Sequence, residues 1–163
     1  MTMPEPVRRT FVRVLSELLD GAAWDAGLVL NPGDPGMLRS LDQCSSAEAS
    51  AVPPAGGASI AAHVDHLAYG LELLNRWIGG EEPFADANYA ASWRRVTVSD
   101  SEWASRRETL RREAYAWREA IQRRAEMTEE ELTTLVAGVV HLAYHLGAIR
   151  QIDRVIVGPA ARD

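Results

Sequence analysis

TEEELTTLVAGVVHLAYHLGAIRQIDRVIVGP, residues Thr128–Pro159, decides the fold. Its first residues, Thr128-Glu129-Glu130-Glu131, form a capping box, in which a hydroxyl and a carboxylate satisfy backbone N–H groups that a helix start leaves free. Behind it apolar residues recur at three- and four-residue intervals until Gly158-Pro159 breaks the pattern. One long helix is therefore expected from Thr128 to about Val157. On that helix His141 and His145 share a stripe with Gly138, Ala148 and Ile152, an apolar face expected to turn inward.

Upstream, Ser99-Asp100-Ser101-Glu102 is another capping box and opens a helix whose inner stripe is Trp103, Leu110, Ala114, Trp117 and Ile121. Its other faces carry Arg106, Arg107, Arg111, Arg112 and Glu113, the pattern of a solvated surface. A further helix runs from Ser59 through Trp77 to Gly79-Gly80, with Ile60, Val64, Leu67, Leu71 and Leu74 as its packing stripe. The first helix spans about Pro6 to Leu19 and presents Val7, Phe11, Val14, Leu15 and Leu18. Between Asp20-Gly21 and Gly57 the chain is rich in Gly, Pro, Ser and Asp, with room for one short helical turn at Met37–Leu41. A loop of that length in a small domain is commonly functional and can cover a site. Nothing of comparable length alternates as a strand would. The expectation is one all-α domain over residues 1–163, a four-helix bundle with a long loop between helices 1 and 2.

Composition narrows the chemistry. With 47% apolar and 25% charged residues the chain reads as a globular protein with a real core, and it has no run of apolar positions long enough to span a bilayer. The N-terminus lacks the apolar stretch and cleavage site of a signal peptide, so a cytoplasmic protein with no membrane partner is expected. A net charge of −6 is the wrong sign for a nucleic-acid footprint. All 17 basic residues are arginine, which removes Schiff-base chemistry, a lysine general base and a P-loop lysine. Cys44 is the single cysteine, so neither an internal disulfide nor a thiolate zinc site is available. No glycine-rich dinucleotide or phosphate fingerprint is present, and Ser59 lacks the flanking glycines of a nucleophile elbow.

The four histidines occur only as two pairs, His63-Val64-Asp65-His66 and His141-Leu142-Ala143-Tyr144-His145. Residues three or four apart on a helix point the same way, so both imidazoles of a pair can reach one ion. Several imidazoles facing one another in a core lose hydration and repel when protonated. A divalent cation accepts their neutral nitrogens and offsets both costs. Imidazole suits zinc, nickel, copper and iron, and three protein ligands leave positions open for water or substrate. Trp24, Trp77, Trp93, Tyr69 and Tyr144 are candidates to line a pocket, with Tyr69 and Tyr144 within one turn of the histidines and able to close it with a hydroxyl. Asp65 and Glu72 are weaker candidates for orienting a ligand or acting as a base.

Ser59-Ile60-Ala61-Ala62-His63-Val64-Asp65-His66-Leu67, the following Leu73-Leu74-Asn75-Arg76-Trp77, and Val140-His141-Leu142-Ala143-Tyr144-His145-Leu146-Gly147-Ala148-Ile149-Arg150-Gln151 resemble the DinB/YfiT-like superfamily over most of the chain. That resemblance implies a metal-binding four-helix bundle with a histidine from the second helix and an H-x3-H pair from the last. His141 and His145 would be two ligands. The third is His66 or His63, with His66 preferred and His63 kept as a fourth ligand or a supporting group. Many members carry His-Arg-Gly-Gln at the last ligand, whereas this chain has His145-Leu146-Gly147-Ala148, so no role of that arginine or glutamine carries over. The resemblance further implies a metal- and thiol-dependent S-transferase acting on a small-molecule electrophile, with a low-molecular-weight thiol as cosubstrate, zinc, nickel or iron as the metal, and pairing into a homodimer. A metal-dependent hydrolase and a non-catalytic metal-stabilised binding or dimerisation module are the alternatives.

Overall fold

A computed structural model describes residues 3–54, 56–94 and 97–152. Among them lie seven helices and no strand: α1 (Glu5–Asp20), α2 (Met37–Asp42), α3 (Ser46–Ser50), α4 (Ile60–Ile78), α5 (Tyr89–Ser92), α6 (Asp100–Arg123) and α7 (Glu129–Ile152). Three of the four long helices, α4, α6 and α7, start at the caps expected, whereas α1 starts after Pro4 with no side-chain cap. Ser59 accepts from Ala62 N, Ser99 and Glu102 close a reciprocal box, and Thr128 and Glu131 do the same. The proposed continuation of α7 to Val157 lies outside the described residues.

The long segment after α1 is more ordered than its composition implied. It contains α2, close to the expected turn at Met37–Leu41, and also α3, which was not expected. Its first part is tied down by charge. The Glu17 carboxylate accepts the backbone N–H groups of Leu28, Val29 and Leu30 at 2.9, 2.7 and 2.8 Å, and these bonds hold its pKa below the usual value. Arg150 of α7 donates to the Pro35 carbonyl at 2.5 Å and pairs with Asp34. Gly21 ends α1 with φ 112° and a Cβ there would sit 2.7 Å from the Asp34 carbonyl oxygen, so the chain can turn back on itself only at a glycine. These anchors run to α1 and α7. The residues standing over the histidines come instead from the connection between α4 and α6.

One core joins the long helices. Leu15, Leu18 and Leu19 of α1, Ile60, Val64, Leu67 and Leu71 of α4, and the expected stripe of Trp103, Leu110, Ala114, Trp117 and Ile121 of α6 are all buried. Val7, expected on the inner face of α1, is exposed, and Phe11 and Val14 are half-buried. The arginines of α6 are not merely solvated. Arg107 and Arg111 reach Asp42 of α2 at 3.0 and 2.8 Å, and Arg106 reaches Asp65 of α4 at 3.3 Å. Half-exposed pairs of this kind contribute about 1 kcal/mol or less each, so they orient helices more than they stabilise them.

α6 packs along α4 and α1, and α7 lies against α4 and α1. His63 meets His145, His66 meets His141 and Leu74 lies beside Gly138, so α4 and α7 run antiparallel. A Cβ on Gly138 would fall 2.7 Å from the Trp117 ring, which is why α7 can approach there. The buried stripe of α7 is Leu135, Val139, Leu142, His145, Leu146 and Ile149. Gly138, His141, Ala148 and Ile152 flank it half-buried rather than forming its centre, a rotation of the expected face. By length and composition α7 is apolar enough to cross a membrane, with a mean hydropathy of 1.5, although only a third of that stretch is buried. Here it is held by α4 and α1 and carries two of the four histidines.

Candidate metal centre

Helical spacing puts His63 and His66 on one face of α4 and His141 and His145 on one face of α7, and the antiparallel packing brings the two faces together. The Nε2 atoms of His66 and His141 are 3.3 Å apart, and those of His145 and His141 are 2.9 Å apart. One nitrogen from each of His66, His141 and His145 lies within 4.8 Å of the others. Nitrogens bound about 2.0–2.1 Å from a cation stand about 3.0 Å apart at octahedral angles and about 3.3 Å apart at tetrahedral ones. The residues present therefore fit a divalent ion held by three imidazoles.

His63 occupies a different place. Its Nδ1 is 2.8 Å from Nδ1 of His145, on the side of the ring away from the cluster. A His145 that offers an Nε2 lone pair carries its proton on Nδ1, and that proton is donated to His63. His66 is fixed in a parallel way by a residue that sequence reasoning did not single out. Ser92 donates its hydroxyl proton to the Tyr89 carbonyl at 2.7 Å, so its oxygen accepts from His66 Nδ1 at 2.9 Å and leaves Nε2 as the lone pair. No local motif marks Ser92. Its short helix α5 follows from Asn88, whose side chain accepts from Ala91 N.

Trp93, the residue after Ser92, stacks on His66 with ring centroids 4.2 Å apart and planes at 22°, and meets His63 and His145 edge-on or tilted at 5.2 and 5.7 Å. It closes one side of the cluster. Of the other aromatic candidates, Tyr144 also meets the cluster, edge-on to His145, and the rest lie elsewhere. Tyr144 is 68% exposed with its ring 5.1 Å from His145, Tyr69 accepts from Asn88 N through its hydroxyl, Trp77 packs with Phe84, and Trp24 is 89% exposed. Tyr69, Asp65 and Glu72 line a second, polar cavity of about 340 Å³ together with Arg106 and Ser92. Asp65 is engaged by Arg106 there, not by a histidine.

Electrostatics keep the imidazoles neutral. Burial, with the neighbouring histidines adding repulsion, pushes His145 down to about 3 and His66 down to about 4, and burial lowers His63 and His141 as well. Near neutrality the cluster is a set of uncharged nitrogen donors. His145 is fully buried, His66 nearly so, and His141 half-buried on the open side.

Two antiparallel helices of an all-α protein thus bring three histidines to one point, where they could hold a metal ion. The chain belongs to the DinB superfamily, whose family model matches residues 36–149. No curated protein and no solved structure matches it significantly.

Proposed function

We propose that this protein is a divalent-metal-dependent S-transferase that joins a low-molecular-weight thiol to a small electrophile. The observation that supports it is the convergence of the Nε2 atoms of His66, His141 and His145, shielded by Trp93 on one side and accessible at His141 on the other. Zinc, nickel or iron suits these donors. A divalent cation held there supplies Lewis acidity that ionises a thiol, or a water, near neutrality. Three uncharged ligands leave the positive charge uncompensated, which favours an anionic nucleophile over a neutral one.

The chain's own residues orient and shield. His63 and Ser92 hold the His145 and His66 rings by their Nδ1 atoms, and Trp93 excludes water from the closed face. In the transfer the sulfur–carbon bond forms as the electrophile's leaving group departs with its electron pair, and the thiol proton passes to solvent past His141. Hydrolysis would additionally need a group to carry a proton from water to the leaving group. The carboxylates nearest in sequence, Asp65 and Glu72, face the second cavity, and this placement favours transfer. The homodimer belongs to the same proposal, supported by Val136, Val140 and Tyr144, which are 44%, 61% and 68% exposed and follow one another along α7.

Metal content measured on untagged protein, with the His141→Ala/His145→Ala variant beside it, tests the reading. Stoichiometric metal in the parent and none in the variant is expected, with thioether formed from N-acetylcysteine and 1-chloro-2,4-dinitrobenzene by the metal-loaded parent alone. Bound metal whose loss lowers only the melting temperature would point to a structural module. No metal in either protein would end the proposal.

A further inference from the structure

An apolar groove begins at His141 and runs between α4 and α7, away from Trp93. Its floor is Leu67, Leu71 and Leu74; of the connection after α4, Tyr89 borders the histidine end, with its ring 6.1 Å from His66, and Phe84, beside Trp77, borders the far end. Leu67 to Leu74 is about 10 Å of helix. The volume is about 220 Å³, and no charged side chain lines it. An engineered apolar cavity of about 150 Å³ holds benzene, so this one has room for an aromatic ring or an alkyl chain of about six carbons.

The groove exists because side chains are missing. Gly138 is required by packing, since a Cβ would strike Trp117 and approach Leu74 at 3.3 Å. Gly70 is not, because a Cβ there would have nothing within 4 Å. A glycine inside a helix sacrifices stability relative to alanine, and at Gly70 no neighbouring atom demands it. What it does is leave the wall of the groove open one turn beyond His66. The polar cavity holding Asp65, Glu72 and Arg106 lies on the other side of α4, so a charged or strongly hydrated group has no partner in the groove.

We infer that the groove from His141 to Phe84 is a specificity pocket that takes an uncharged, apolar portion of the ligand, an aryl ring or a short alkyl chain, while the ligand's polar reacting end lies at the three histidines. The inference rests on the proposed metal-site function for the position of that reacting end, and on the groove itself for the apolar portion. Anionic small electrophiles with no apolar portion are then poor ligands.

Two binding experiments separate the parts. With zinc-loaded protein, calorimetric titration with aceto-, butyro-, hexano- and octanohydroxamate should show affinity rising about fourfold per methylene until the groove is full. The Gly70→Leu variant should flatten that series while binding acetohydroxamate and zinc as the parent does. With chelated protein, saturating benzene should raise the melting temperature of the parent and not of Gly70→Leu. Thr134→Arg, which puts a charge at the groove wall, serves as the second variant should Gly70→Leu fail to fold. A flat hydroxamate series in the zinc-loaded parent, or an undiminished slope in the folded variant, would overturn the inference. Benzene binding by a parent that takes up no zinc would sustain the apolar pocket while removing the metal-site reading.

Discussion

Acidifying the metal-free protein from pH 7 to pH 5 is expected to remove on the order of 4 kcal/mol of folding stability through His66 and His145 alone. In the folded chain burial holds these imidazoles at about 4 and about 3, against 6.5 when the chain unfolds. Because the folded values are the lower ones, the unfolded chain binds protons that the folded chain refuses. Stability is therefore complete above about pH 7 and falls as the pH drops through 6.5 toward the folded values. Between pH 7 and 5 each group contributes about 2 kcal/mol to that fall, and His63 and His141, lowered by the same burial, act in the same direction. The stabilised carboxylates Glu17 and Glu131 start from 4.5, so their loss belongs to lower pH. Urea unfolding followed by circular dichroism in the presence of chelator at pH 7, 6 and 5 measures the effect. The equivalent shift in melting temperature is roughly 10 °C for a chain of this size. Equal stability at pH 7 and 5, or the same slope in His66→Gln/His145→Gln, would show that these rings are not held neutral by the core.

Ser92→Ala should weaken metal binding about 10- to 100-fold by freeing the His66 ring, with the melting temperature of the metal-free protein little changed; competition with a chromophoric chelator reads this out. Gly138→Ala should cost about 1–3 kcal/mol, measured by urea unfolding, because its methyl group would overlap the Trp117 ring. The parent should sediment as a dimer and Val140→Asp as a monomer with unaltered circular dichroism; a monomeric parent at micromolar concentration would remove the homodimer from the proposal.

Sequence and structure part company at particular residues. The capping residues Ser59, Ser99 and Thr128 were legible because a cap is a contact within one turn, and it is made by the same residues whatever the rest of the chain does. The short helices α3 and α5 were not, since neither is long enough to show a period. The inner face of α7 was read one step off. In a helix this apolar nearly every direction looks like core, and the packing against α4 and α1 decides which side is buried.

What the sequence determined by itself is what local geometry determines. The element type is helix, the starts are the caps, His63 with His66 and His141 with His145 share helix faces, and lysine and paired-cysteine chemistry is excluded. Only the tertiary structure brought His66 Nε2 to His141 and set Nδ1 of His63 behind His145, because two residues one turn apart are separated by the rotation and register of α4 against α7. The same register delivered Ser92 and Trp93 to the histidines from a connection remote in sequence, and left a groove beside Gly70. Register between helices is set by the sum of side-chain volumes across the whole core, a quantity that no stretch of the chain carries alone.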